Sequence, residues 1–358
     1  QNKESVNIDG GEIELSALNI DGGTDIDAAI TDSDLIIIDD GANGTNRKAA
    51  VSRLKTYVQS ATSLDDLSDG KSGGTNFSDS MILGHATTGT LTNAAQNTAV
   101  GINAMKSITG GDDNTVVGFS ALEKNTQGSR STAVGSKALW NSNGNDNTAV
   151  GYQASYTNST GEFNVAIGSE ALYSNLTSSQ NLAIGRRALY SMTSSGEYNT
   201  AIGYEALKRF TSGQDNTALG KGALAYLTTG GSNIGIGYQA GGNTTTANGN
   251  IYIGRSTGNN NNSGIENVCV GEYNYAHDPG IVNFRNVTTL GSNAGRFATG
   301  SYNTFLGSYA GQGTNTSAPF NSGEKNTVIG FEALKVFTTA DNNTILGYRA
   351  GYSTTTGN

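Results

Sequence analysis

The stretch NTAVGYQAS, residues 147–155, recurs in near-copies along most of this 358-residue chain. Aligning the copies on the glycine that closes each Asn-Thr-Ala-aliphatic-Gly segment places that glycine at sixteen positions. These are residues 84, 101, 118, 135, 151, 168, 185, 203, 220, 237, 254, 271, 291, 307, 330 and 347. The intervals are 17 residues or one either side, except 20 before Gly291 and 23 before Gly330. Such a period is typical of repeat proteins whose units stack on one another.

Within a unit, the apolar residues alternate with small ones. The residues flanking the central alanine are mostly Thr, Val or Ile on one side and always Val, Ile or Leu on the other. Side chains alternate along a strand, so these two share one face, and the Ala/Gly face is nearly flat. An Ala-Leu step follows in many units, then a polar turn. Each unit is therefore predicted to be a strand, a tight corner, a second short strand and a loop.

Stacking such units buries a stripe that one unit cannot bury alone, and the frequent glycines disfavour a helix. The predicted fold is all-β, a β-roll or β-solenoid of about sixteen coils of about 17 residues. We expect the aliphatic face to point inward and the flat face to meet other copies of the chain in a parallel homotrimer. The residues expected in this trimer seam are Ala99, Gly101, Ala133, Gly135, Ala149, Gly151, Ala166 and Gly168.

The repeats in residues 80–351, worded NTAVGYQAS or NTAIGYEAL, resemble the head of YadA-type trimeric adhesins. They are one residue shorter in the strand than the adhesin repeat and a few residues longer per coil. The tyrosine-containing forms GYQA, GYEAL and GYRAG resemble repeats of bacteriophage tail fibres more closely. The resemblance implies a trimeric roll with a structural or adhesive role.

The first 60 residues read as a separate acidic arm. Two NIDGG segments and the run DLIIID (34–39) predict short strands joined by turns. Residues 45–60 then change to a helical period, and we expect a trimerising helix there. Its apolar face would include Val51, Leu54, Tyr57 and Val58. The passage from LIIIDDGANG to SRLKTYV (35–58) resembles the virion-proximal part of tail fibres from marine and cyanobacterial phages. The predicted division is arm 1–60, linker 61–79 and repeat roll 80–358.

The net negative charge of the chain comes from the first 46 residues of this arm. The net charge is −9, with −10 in residues 1–46 and +1 in the remainder. Without a basic stripe, nucleic-acid binding is disfavoured. The sequence contains no run of about twenty apolar residues, so insertion in a membrane is not predicted. The single cysteine, Cys269, cannot form an intrachain disulfide and fits no metal-ligand spacing.

Few residues suggest chemistry. His85 and His277 are many coils apart, and the glycines of GIGYQAGG (235–242) fall on the repeat period, so neither a catalytic nor a nucleotide site is predicted. The turns GDDN, NDN, QDN and DNN offer oxygen ligands for Ca²⁺, but most coils lack the acid. The favoured interpretation is that Asp and Asn adopt left-handed turns there, with stacked Asn side chains forming amide ladders. No cofactor is predicted.

Two features remain as candidate binding surfaces. An aromatic residue follows the glycine in several coils. Such rings could stack on sugars, but the favoured interpretation is that they are structural residues at corners or in the seam. These are Phe119, Tyr152, Tyr204, Tyr238, Phe331 and Tyr348. The interruptions at 272–286 and 308–326 hold both prolines and are predicted to bulge as receptor-binding loops. Their candidate residues are Tyr275, His277, Asp278, Phe284, Arg285, Pro319 and Phe320.

The predicted function is a structural and adhesive fibre of a phage tail, located in the virion. Its arm would attach to other tail or baseplate proteins, and the roll would space or present a surface for a host glycan or protein. The alternative is the head of a trimeric adhesin at a bacterial cell surface. A glycan-degrading tailspike is the third possibility, and it would need two carboxylates roughly 5–9 Å apart. The acids are sparse and unaligned, so no enzyme is predicted.

Overall fold

A computed structural model describes residues 35–38, 47–50, 70–72, 79–84, 91–275, 283–314 and 321–356. The chain divides into two units, Gln1–Thr62 and Ser63–Asn358. In the first unit, strand β1 (Leu35–Ile38) pairs antiparallel with strand β2 (Arg47–Ala50). The strand predicted within DLIIID is therefore confirmed.

The helix predicted over residues 45–60 is wrong at Arg47–Ala50, which form β2. Pairing with β1 supplies these four residues with inter-strand hydrogen bonds, and tertiary pairing of this kind overrides a weak local preference for helix. The four residues expected on the apolar face of the helix lie outside the described residues. They are Val51, Leu54, Tyr57 and Val58.

The second unit contains a stack of sixteen three-residue parallel strands. They are β4 (Met81–Leu83), β5 (Thr98–Val100), β6 (Thr115–Val117), β7 (Thr132–Val134), β8 (Thr148–Val150), β9 (Val165–Ile167), β10 (Leu182–Ile184), β12 (Thr200–Ile202), β14 (Thr217–Leu219), β15 (Ile234–Ile236), β16 (Ile251–Ile253), β17 (Val268–Val270), β18 (Thr288–Leu290), β19 (Thr304–Leu306), β20 (Thr327–Ile329) and β21 (Thr344–Leu346). Strand β3 (Gly70–Ser72) pairs antiparallel with β4 and covers that edge of the stack. A minor parallel pair joins β11 (Gly196–Glu197) to β13 (Gly213–Gln214).

The predicted β-solenoid of about 17-residue coils is thus confirmed. Each strand pairs in register with the equivalent strand of the next coil, as Ala183 does with Ala166 and Ala201. At about 4.8 Å per strand, the fifteen steps extend about 70 Å. Among the described residues, no helix has the length and apolar character needed to cross a membrane.

The predicted direction of the two strand faces is wrong. The first and third residues of each strand do share a face, but that face is outward, because the central residue is the buried one. The central alanines expected in the seam are fully buried in the core of their own chain, while Val100 remains 39% exposed. The four buried alanines are Ala99, Ala133, Ala149 and Ala166.

The opposite wall of each coil explains this orientation. The leucine of each Ala-Leu step is buried and fills the interior, so only a small side chain fits at the strand centre. These steps are turns rather than the predicted second strands, since Ser120 and Leu122 have φ of 53° and 50°. Their backbones still bond between coils, as in the 2.9 Å hydrogen bond from Leu122 N to Ala138 O. Leucine in a left-handed conformation costs about 1–2 kcal/mol, which its burial offsets.

The corner glycines also have a role inside the single chain. Gly101, Gly135, Gly151 and Gly168 have φ between 127° and 138°, a region that favours glycine. A Cβ atom on any of them would come within 2.5–2.7 Å of the backbone of the glycine in the next coil. They allow close stacking of coils within one chain. The seam predicted at the four alanines is wrong, because their side chains are buried, whereas the seam predicted at the half-buried glycines stays a prediction.

In some later coils the large buried side chain comes from the strand centre, and the position of the buried leucine holds a glycine. In the coil of β16, the strand centre is Tyr252 and the position equivalent to the buried leucine is Gly258. A Cβ on Gly258 would lie 2.2 Å from Tyr252 Cδ1. The Tyr252 hydroxyl accepts a 2.7 Å hydrogen bond from Asn261 Nδ2. The exchange recurs with Phe305 and Gly311, whose Cβ would come within 2.5 Å of the Phe305 ring.

Cys269 occupies the centre of β17, is fully buried, and stacks in register beside Tyr252. Burial raises the pKa of its thiol to about 12, because the thiolate is poorly solvated there. We expect a thiol-specific maleimide to leave Cys269 unmodified at pH 8 in the native protein and to modify it fully in denaturant. Mass spectrometry after timed labelling measures this. Rapid labelling of the native chain would contradict the burial of β17.

Candidate functional site

The residues predicted in the interruptions separate into core and surface. Tyr275 and Phe284 are buried, with ring centroids 4.4 Å apart, and the Tyr275 hydroxyl donates a 3.0 Å hydrogen bond to Gly300 O. Their assignment as receptor-binding residues is wrong, because large rings there fill coils that lack the buried leucine. Arg285 is exposed. The remaining candidates lie outside the described residues: His277, Asp278, Pro319 and Phe320.

The Asp and Asn turns have the left-handed backbone that the sequence predicts. Asp113, Asp146, Asp215 and Asn342 have φ of 58–60°. The Asp146 carboxylate accepts two hydrogen bonds of 2.7 and 2.8 Å from Arg130, which lower the pKa of Asp146. In the described parts of the chain, no three His, Cys, Asp or Glu side chains are grouped so that they could hold a metal ion.

The asparagine that begins most of the described repeats forms the predicted amide ladder. Asn216 Nδ2 donates to Asn199 Oδ1 at 3.0 Å, and Asn233 Nδ2 donates to Asn216 Oδ1 at 3.0 Å. The backbone N–H of Asn233 shares that acceptor, and Asn216 Nδ2 also donates to Gly230 O. The buried amides therefore satisfy one another, as buried polar groups must. Their role is to hold the register of the coils.

The aromatic residues that follow the corner glycine lie at the surface, with Tyr152, Tyr204 and Tyr238 exposed by 51%, 41% and 41%. The same position in neighbouring coils carries cations. Lys221 Nζ lies 5.8 Å from the ring centre of Tyr204 and 5.7 Å from that of Tyr238. This distance falls within the range of cation–π attraction. Rings and positive charges therefore alternate along this edge of the coils.

A second aromatic column was not predicted. Trp140, Tyr156, Tyr173 and Tyr190 stack with centroid distances of 5.0–5.2 Å and interplanar angles of 7–13°. Lys124 Nζ lies 3.8 Å from the Trp140 ring centre. The signal was present in the sequence, since each ring directly follows the Ala-Leu or Ala-Ser step at intervals of 16 or 17 residues. The ring faces contact one another, so this column is a stacking device rather than a sugar platform.

In later coils the position of this aromatic column holds small residues, and a cleft of about 160 Å³ lies there. The backbone hydrogen bonds from Arg209 N to Ala225 O and from Tyr226 N to Gly242 O show that Ala225 and Gly242 occupy the equivalent positions in the next coils. Tyr204 and Lys221 also line the cleft. The cleft therefore lies beside the surface edge where rings and cations alternate.

The outward face of the stacked strands forms a further repeating surface. This outer stripe consists of the first and third residues of the sixteen strands, and no charged residue occurs among them. Ile167, Leu219 and Leu290 are 38%, 44% and 54% exposed. The third residues are Leu83, Val100, Val117, Val134, Val150, Ile167, Ile184, Ile202, Leu219, Ile236, Ile253, Val270, Leu290, Leu306, Ile329 and Leu346.

No protein-family model, curated protein or solved structure matches this chain.

Proposed function

We propose that this chain is a structural and adhesive fibre of a phage tail, assembled as a parallel homotrimer. The N-terminal arm attaches to other tail or baseplate proteins of the virion, and the solenoid presents a surface to the host cell. The observation that supports assembly is the uncharged outer stripe, which replaces the buried alanines as the seam. The phage assignment is supported by the sequence resemblance in residues 35–58 and in the repeats.

The outer stripe is suited to association because it is long and uncharged, and its third residues form a continuous aliphatic column beside first residues that are mostly threonine. A contiguous aliphatic column exposed at a protein surface is typical of an interaction site. With fifteen steps of about 4.8 Å and a width of about 10 Å, the stripe covers on the order of 700 Å². Standard interfaces bury about 800 Å² per partner, so the stripe has the size that a stable contact needs. Identical chains present identical stripes, which suits rotational symmetry.

Placing charge on the stripe is expected to prevent assembly. The variant Ile167→Lys with Ile202→Lys puts two ammonium groups per chain into the proposed seam, where six would meet in a trimer. Burying unpaired charges is unfavourable by several kcal/mol each. We expect the mass in solution, measured by light scattering, to fall from three chains to one, with the far-ultraviolet circular dichroism unchanged.

The matched control places the same charges in exposed loops, one on the coil of Ile167 and one on the coil that precedes Ile202. Thr177 and Ser194 are exposed loop residues, so Thr177→Lys with Ser194→Lys is expected to keep three chains together. A wild-type chain that sediments as a monomer would overturn the seam. So would a trimer that survives the lysines on the stripe.

The location of the protein tests the phage assignment. Gold-labelled antibodies against the chain are expected to mark the tails of phage particles in electron micrographs and to block adsorption to the host. Labelling of a bacterial surface instead would overturn the phage assignment and support the cell-surface adhesin.

A further inference from the structure

The cleft exists because three side chains that are large in neighbouring coils are small here. The repeat position that holds Tyr190 and Lys208 in two coils holds Ala225 and Gly242 in the next two. Gly222 stands between Glu205 and Gln239 at another repeated position, and it has φ of 66° beside their 58° and 52°. A Cβ on Gly222 would touch only Gln239 Cγ, at 3.4 Å. The space is therefore an opening in the repeat pattern, and the backbone does not require it.

The walls of the cleft combine rings with amides. Tyr204 and Tyr226 line it and are 41% and 43% exposed. Gln239 and Asn259 also line it, and their side-chain amides hydrogen-bond to none of the residues that the structure describes. Asn259 Oδ1 packs over Gly242, where a Cβ would come within 2.7 Å. Ring walls with a few convergent, unpaired polar groups are typical of a small-ligand site.

The charge around the cleft is positive, although the whole chain carries −9. Glu205 is neutralised by Lys208, whose Nζ donates a 2.8 Å hydrogen bond to Glu205 Oε1. The Arg209 guanidinium lies 4.3 Å from the ring centre of Tyr226. Lys221 contacts two tyrosine rings and has no ion pair with any described residue. One ammonium group is thus available to an anion in the cleft.

From this geometry we infer that the cleft binds one acidic sugar unit, of the uronic-acid class, in a surface glycan. The tyrosine rings pack against the apolar face of the sugar, the Gln239 and Asn259 amides bond its hydroxyls, and Lys221 pairs with its carboxylate. The volume suits a single sugar ring, since drug-sized ligands occupy clefts of roughly 300–1,000 Å³. This inference rests on the proposed adhesive function and names the class of ligand.

Saturation-transfer NMR with methyl glucuronide and methyl glucoside tests the inference on the full chain. We expect wild-type protein to bind the glucuronide about fivefold more tightly than the glucoside, the size of an exposed ion pair. Lys221→Gln is expected to make the two affinities equal. Gly222→Gln, which adds the side chain found in the next coil, is expected to weaken both at least about tenfold by filling the cleft.

Gly249→Gln is the matched control, because Gly249 has the same φ of 66° and does not line the cleft. It is expected to bind as wild type does. Equal affinity of wild-type protein for the two sugars, no binding of either, or unchanged binding by Gly222→Gln would overturn the inference. The mass in solution and host adsorption are measured on the same variants. A trimer that adsorbs to the host but does not bind the glucuronide would refute only the proposed role of the cleft. A monomer would refute the proposed assembly.

Discussion

Gly220→Ala is expected to lower the free energy of unfolding by about 3–6 kcal/mol, which is large for the loss of one hydrogen atom in favour of a methyl group. Gly220 has φ of 132°, a conformation that alanine adopts only under strain. The added Cβ would also lie 2.6 Å from Gly237 O in the next coil. Because that obstacle is backbone, relief requires two coils to separate. Urea denaturation followed by far-ultraviolet circular dichroism measures the loss.

The control for this variant lies two residues further along. Gly222→Ala makes the same chemical change at φ of 66°, where the new Cβ would touch only Gln239 Cγ at 3.4 Å. Since Glu205 and Gln239 adopt nearly the same conformation in the adjacent coils, we expect a change of about 1 kcal/mol or less. Equal destabilisation by the two variants would refute the role assigned to the corner glycine.

Tyr252→Ala is expected to destabilise its coil by about 3–5 kcal/mol, because it removes a fully buried ring. The cavity extends over two coils, since Cβ atoms at both Gly241 and Gly258 would contact the Tyr252 ring. The Asn261 amide also loses the hydroxyl that accepts its hydrogen bond. Solenoid coils can open locally, so the rate of Cys269 labelling in the neighbouring strand is the suitable measurement.

The second variant of this pair tests whether the interior volume is what matters. Gly258→Leu alone is expected to destabilise the coil by at least about 3 kcal/mol, since the leucine overlaps the Tyr252 ring. Combined with Tyr252→Ala it recreates the Ala-plus-Leu interior of earlier coils, where Leu224 has φ of 50° beside 61° at Gly258. We therefore expect the double variant to be more stable than either single variant. Additive losses would show that volume exchange is not the cause.

The periodic features of this fold were predictable because they arise from local chemistry. The spacing of the glycines predicts the coil length and the strand positions, and alternation correctly predicts that Val100 shares a face with Thr98. The left-handed backbone at Asp113 follows from the tolerance of aspartate for that conformation. These statements depend on one coil and its immediate copy.

The cleft could not be predicted in the same way. Its members Tyr204, Ala225 and Gln239 come from three different coils, and each taken alone is a common residue type in this chain. What distinguishes the cleft is the coincidence of small residues at Gly222 and Gly242 in adjacent layers. That coincidence becomes visible only when the register of the coils is known.

The sequence by itself determined the period, the number of coils and the pairing of faces, because identical neighbours repeat the same local geometry. Only the tertiary structure decided which face points inward. That choice depends on how much of the narrow interior the opposite wall fills. A leucine such as Leu207 leaves room for an alanine at the strand centre, whereas Gly258 leaves room for Tyr252. The same competition for volume places Tyr275 and Phe284 in the core rather than in a binding loop.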